Sequence, residues 1–262
     1  MSVWYPTASP EKDLVLGLHQ LHIARDQPPV AGTFPLVLFS HGSRGSDLDH
    51  HNWGENLARQ GYLVAAPRHM ADSVLASDGE KLLSRLQDLE FTLETLGKHP
   101  ILAPHLAPGP VAALGFSYGA TTLLTLLGAE LSPPLPSCPT GELARRGLAA
   151  AVLLAPYAAL FDPKSLAKVK APLLVFQAAS DSQTPNPTNS RVVLDLVSSP
   201  HQEMEVPGSH FVFMAPAVPA ARGKYPRYYQ DAPGLDREEI HARLAREISA
   251  FFGRVYPLPP LL

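Results

Sequence analysis

The sequence predicts an α/β protein: a mostly parallel central sheet of about eight strands with helices on both faces. Three observations predict it. Five apolar runs of strand length recur along the 262 residues, stretches with helical spacing lie between them, and no internal repeat or low-complexity linker interrupts the alternation. A strand covered on both faces reads as a continuous Val, Leu and Ala run, and a parallel neighbour is reached only through a long crossover, usually a helix.

Taken in order, VWYPT (3–7) and LVLGLHQLHIA (14–24) suit antiparallel strands at the start. PLVLFS (35–40) is the first buried strand, and HNWGENLARQ (51–60) has the spacing of an amphipathic helix. YLVAAP (62–67) follows as a strand, then EKLLSRLQDLEFTLETLG (80–97) as a long helix. VAALGFS (111–117) is a strand that runs directly into the helical YGATTLLTLLGAE (118–130). AAVLLAP (150–156) and PLLVFQAAS (172–180) continue the sheet, with PTNSRVVLDLVSS (187–199) as the next helix. HQEMEVP (201–207) supplies a last strand and DREEIHARLAREISAFFGRV (236–255) a last helix. One domain over 1–262 accommodates all of this, because a chain of this length can bury one sizeable core.

Two segments are long for connections in such a fold: the proline-rich 131–147 and the stretch 213–235. Long loops in compact domains often cover binding sites, so Leu131, Leu135, Tyr225, Tyr228 and Tyr229 are candidate rim residues. Cys138 is the single cysteine, which excludes an intrachain disulfide and a multi-cysteine zinc site and suits a reducing compartment. A net charge of −3 with 17% charged residues lacks the basic excess of a nucleic-acid binder. MSVWYPTASPEKD has no signal-peptide pattern, and no run approaches a membrane span. The expectation is a cytoplasmic protein with neither a nucleic-acid partner nor membrane insertion.

The chemistry concentrates at ALGFSYGATTLL (113–124), where Gly115-Phe116-Ser117-Tyr118-Gly119 joins a strand to a helix. A nucleophile elbow needs this context, with glycines where side chains would collide and the serine exposed at the carboxyl end of the sheet. A serine hydroxyl needs a base, and the base an orienting acid. Asp181 ends the strand PLLVFQAAS, His210 follows the last strand in EVPGSHFVF, and Asp162, after the preceding strand, is the alternative acid. The order Ser, Asp, His is that of α/β-hydrolases. A tetrahedral intermediate also needs two N–H donors. Tyr118 supplies one, and Ser43, in the turn His41-Gly42-Ser43, is assigned the other.

The blocks LVLFSHGSRGS, GYLVAAPRHMAD, LGFSYGA, PLLVFQAASD and VPGSHFVF together resemble the predicted dienelactone hydrolase family, whose relatives include the platelet-activating-factor acetylhydrolases. The resemblance implies an α/β-hydrolase fold, hydrolysis of carboxylic esters and no cofactor. Position 117 is serine where dienelactone hydrolases proper carry cysteine. The partner expected is a small-molecule ester with a small to medium acyl or aryl group; amide, peptide or thioester cleavage by the same three residues is the alternative. A binding protein that retains only the fold is the reading from another class.

His41, His69, Phe211 and Phe213 are expected to line the substrate pocket. Asp47, Asp49, His50, His51, His69 and Asp72 are rich in metal-ligand types, but adjacent helical histidines point about 100° apart and rarely share one ion. No metal is therefore expected.

Overall fold

The computed structural model describes all residues except 75–76, 135–142, 144–145 and 256–262, so Leu135, Cys138 and most of the 131–147 segment lie outside the described residues. Among the described residues nine strands form, β1 (Ser2–Trp4), β2 (Lys12–Leu16), β3 (His19–Ile23), β4 (Leu36–Ser40), β5 (Leu63–Ala66), β6 (Val111–Phe116), β7 (Leu148–Leu154), β8 (Leu173–Ala178) and β9 (His201–Val206). Seven of them form one sheet in the order β1-β5-β4-β6-β7-β8-β9. All neighbours in it are parallel except β1, which runs antiparallel to β5.

Among the described residues the sheet therefore has seven strands, against the expected eight or so. LVLGLHQLHIA forms β2 and β3, which pair only with each other as a separate antiparallel hairpin. Their burial explains it. β4, β5 and β6 are buried at every position, whereas β3 buries His19 and Leu21 and exposes Gln20 and His22. A strand with one apolar face can lie on the body of the protein but does not suit the centre of a sheet covered on both sides.

Alternate residues of the central strands feed two cores. Val37, Phe39, Val64, Leu114, Phe116, Val152 and Phe176 face α1 (His51–Arg59) and the last helix through Trp53, Leu57, Leu244, Ile248 and Phe252. Leu36, Leu38, Leu63, Ala113, Leu153 and Val175 face α2 (Asp78–Gly97), α3 (Tyr118–Leu126) and α4 (Ser190–Leu196) through Leu82, Leu89, Leu93, Leu123 and Val193. Each fully buried Leu or Phe contributes about 1.5–3 kcal/mol. The short helices α5 (Pro219–Lys224) and α6 (Pro226–Tyr229) precede the last helix, α7 (Arg237–Val255).

The start of α2 is fixed by a capping box. Ser77 Oγ accepts from the Glu80 N–H, and the Glu80 carboxylate accepts from the Ser77 N–H. Among the described residues no helix is long and apolar enough to cross a membrane. From β4 the chain goes to β5 on one side and then to β6 on the other, so the strand order reverses between β4 and β6. Open α/β sheets place ligands in the crevice beyond the strand ends at such a switch point.

Candidate active site

Ser117 sits in that crevice, in the turn between β6 and α3, with φ 54° and ψ −117°. A non-glycine residue at positive φ is strained, and such strain persists only where the surroundings over-determine it. Here the Ser117 N–H donates to the Leu154 carbonyl at 2.8 Å, and its own carbonyl accepts from the N–H groups of Ala120 and Thr121. The flanking glycines permit the crowding. A Cβ on Gly119 would stand 1.9 Å from the Ser40 carbonyl oxygen, and one on Gly115 would stand 2.7 Å from the Gly119 carbonyl.

Asp181 and His210 come together from the ends of β8 and β9. His210 Nδ1 lies 2.7 Å from Asp181 Oδ2, with both side chains buried. Thr184, which the sequence reading did not single out, braces the pair: its hydroxyl is 2.9 Å from Asp181 Oδ2 and 3.1 Å from His210 Nδ1. Asp181 Oδ1 accepts the backbone N–H groups of Gln183 and Thr184, each at 2.8 Å. Burial works to raise the Asp181 pKa, but the hydrogen bond and charge of His210 and the Thr184 donors outweigh it and hold the carboxyl below its ordinary value. It is a carboxylate at neutral pH. The alternative acid, Asp162, is engaged elsewhere, accepting the Lys164 N–H as the cap of a 3-10 turn over Pro163–Lys168.

Ser43 and Tyr118 face the same cavity as Ser117, and neither backbone N–H has a hydrogen-bond partner among the described residues. Behind them lies a buried polar network absent from the sequence reading. His41 and His69 belong to this network and do not line the cavity, which corrects their expected placement. The backbone N–H of His69 donates to His41 Nε2 at 3.1 Å, so Nδ1 of His41 carries the proton and donates to the Gly42 carbonyl at 2.8 Å. Burial first, with the Arg85 guanidinium adding to it, pushes His41 down to about 3.

His69 joins Ser40 Oγ, 3.0 Å from Nε2, to Asp88 Oδ2, 2.8 Å from Nδ1. Burial and then Arg85 hold His69 well below its ordinary pKa, so its imidazole is neutral. At the centre is Arg85 of α2, fully buried and paired with Asp72. A signal for it existed in the sequence. Arg85 lies between Leu82 and Leu89 on the buried stripe of α2 rather than on the solvated face.

The cavity has a volume of about 650 Å³, and Ser117 and His210 both line it. Its wall is aromatic: Phe211 stands edge-on to His210 at 5.1 Å and to Tyr228 at 4.7 Å, and the Arg227 guanidinium lies 5.5 Å from the Phe211 ring. The 213–235 segment adds Met214, Tyr225 and Tyr229, and the β2–β3 hairpin adds Leu18. Phe213, expected in the pocket, is instead fully buried in the core, with its carbonyl accepting from Trp53 Nε1 and facing His50 Nδ1. The phase of the 3-10 turn over His210–Phe213 turns it inward. Leu131 is likewise buried, bridged to Phe161 away from the cavity.

The His/Asp-rich set disperses. Asp47 accepts from Ser2, Asp49 from Ser46, His51 pairs with Glu55 and Asp72 with Arg85. Among the described residues no group of three or more His, Cys, Asp or Glu side chains is arranged to hold a metal ion. No model of a known protein family matches the chain, and no curated protein matches it.

Proposed function

We propose that the protein is a serine hydrolase of α/β-hydrolase fold that cleaves carboxylic esters of small to medium acyl or aryl groups through an acyl-enzyme. The observation that carries this reading is the 2.7 Å pair of His210 Nδ1 and Asp181 Oδ2, with His210 lining the same cavity as strained Ser117. Asp181 occupies Nδ1, which leaves Nε2 of His210 as the nitrogen free to take a proton. His210 removes the Ser117 proton as Oγ attacks the ester carbonyl, and the N–H groups of Ser43 and Tyr118 receive the developing oxyanion. His210 then protonates the leaving alcohol and activates water to release the acid.

The aromatic wall at Phe211, Tyr225 and Tyr228 supports an acyl or aryl group rather than a strongly charged one. The resemblance of the GFSYGA and GSHF blocks to the predicted dienelactone hydrolases points the same way. The test is a burst of p-nitrophenol from p-nitrophenyl acetate or butyrate, together with fluorophosphonate labelling at Ser117. Both are expected in the wild-type protein and both are expected to vanish in Ser117→Ala. Wild-type turnover by Ser117→Ala refutes the proposal, and a matched panel of ester, thioester and amide substrates ranks the bond cleaved.

A further inference from the structure

We propose that Arg85 is a positioning residue for the reaction: its buried guanidinium fixes the Gly42–Ser43 peptide so that the Ser43 N–H is presented to the cavity. The inference rests on the acyl-transfer reading of Ser117.

All five N–H groups of Arg85 are engaged. Nε donates to Asp72 Oδ1 at 2.9 Å; Nη2 donates to Asp72 Oδ2 at 2.5 Å and to the Gly42 carbonyl at 3.0 Å; Nη1 donates to the His41 carbonyl at 2.7 Å and to Ser40 Oγ at 3.4 Å. The carbonyl of Gly42 and the N–H of Ser43 belong to one peptide plane, and in a trans peptide they point in opposite directions. That carbonyl takes three donors: Arg85 Nη2, His41 Nδ1 at 2.8 Å and the Gly45 N–H at 3.2 Å. Two lone pairs need no third donor, so the contacts specify the direction of the carbonyl and thereby that of the N–H behind it. Rotating the peptide would leave two buried side chains, Arg85 and His41, short of an acceptor.

The same guanidinium reaches the other half of the site. It lies 4.9 Å from the centre of the Tyr118 ring, and Tyr118 carries the second free N–H. Asp72, which holds Arg85, also accepts the N–H of Arg44 at 3.3 Å and so clamps the far side of the loop, where Arg44 has φ 56°. One planar fork thus ties both donor residues to α2. Lysine cannot replace it, because an ammonium offers three donors from one point and no fork. Changing one partner of a buried ion pair also lowers stability, so the role is read in the reaction of the folded protein rather than in the melting temperature alone.

The test compares Arg85→Lys and Asp72→Asn with the wild-type protein on p-nitrophenyl butyrate. Loss of one oxyanion donor costs about 100-fold or more in kcat. The expected result in Arg85→Lys is a fall of about that size with KM changed less than about threefold, and affinity for a tetrahedral-adduct-forming alkyl boronic acid lost in parallel. Asp72→Asn, which keeps the side-chain shape, is expected to fall between the two. A folded Arg85→Lys protein with wild-type kcat and boronic-acid affinity overturns the assignment. If neither variant folds, the Ser43 amide proton of the wild-type protein decides: it must move downfield when the boronic acid binds, and an unmoved resonance overturns the proposal. Absence of fluorophosphonate labelling of wild-type Ser117 would overturn the acyl-transfer reading itself. Labelling together with an indifferent Arg85→Lys overturns only the role of Arg85.

Discussion

Replacing Gly119 with alanine probes the site with a single methyl group. That Cβ would stand 1.9 Å from the carbonyl oxygen of Ser40, 2.6 Å from its carbonyl carbon and 2.8 Å from the His41 carbonyl oxygen. Carbon and oxygen pack at about 3.3 Å or more, so α3 and β4 must separate by about 1.4 Å. All three obstructing atoms are backbone, so no side chain can rotate out of the way. One of the two displaced elements carries Ser117 and Tyr118 and the other leads into Ser43. Overpacking costs about 1–3 kcal/mol, and an unyielding backbone places this case near about 3 kcal/mol. For a protein of this size that lowers Tm by about 6–12 °C, and a misplacement of about 1 Å costs about 100-fold in rate.

Thermal unfolding followed by circular dichroism and turnover of p-nitrophenyl butyrate read the two effects separately. Gly97→Ala is the control. Gly97 ends α2 with nothing within 4 Å of its Cβ position, so activity is unchanged and stability rises by about 0.5–1 kcal/mol. A Gly119→Ala protein with wild-type Tm and turnover would refute the close-approach argument.

Three further outcomes follow from the same contacts. Thr184→Val removes the hydroxyl shared by Asp181 and His210 and lowers kcat about 10-fold, while Thr184→Ser restores it; an unchanged kcat in the valine variant would exclude bracing by Thr184. Phe211→Ala removes the ring edge-on to His210 and Tyr228 and raises KM for aryl esters about 2–10-fold, which a KM series on phenyl and alkyl esters checks. His50 and His241 are each pushed down to about 3, chiefly by burial. Between that value and their ordinary 6.5 the unfolded chain binds the additional protons, so stability falls as pH drops below 6.5, by about 2 kcal/mol for each at pH 5. A Tm that stays level from pH 7.5 to pH 5 would show that these imidazoles are not held neutral by the fold.

Much of this arrangement was legible because the central strands are covered on both sides. LVLF and LVAA need no partner to declare themselves buried, and the glycines about Ser117 mark a turn before any neighbour is known. The hairpin at 12–23 was legible as strands but not as a separate unit, because its pairing depends on what lies across from it. Phe213 lies in the core rather than in the expected pocket because residues 210–213 form a 3-10 turn whose phase the sequence does not display. Arg85 does not declare its role in the sequence, because a charge on an amphipathic helix is ordinarily solvated. Its position among Leu82, Leu86 and Leu89 was visible, yet the acceptors that make burial tolerable come from residues 40–42 and 72, distant in the chain.

Ser40, His69 and Asp88 form a connected set of the same three residue types as the proposed Ser117, His210 and Asp181: a hydroxyl 3.0 Å from one imidazole nitrogen and a carboxylate 2.8 Å from the other. Yet Ser40 ends a strand in the interior with ordinary backbone, fully enclosed, and an Arg85 N–H faces its oxygen. The second set is a mimic without an audience: no carbonyl compound can approach it, and its hydroxyl's lone pair is already engaged. A search for a serine, a histidine and a carboxylate brought together would find this protein twice, and only the φ angle of the serine and the opening in front of it would tell the proposed site from its internal echo.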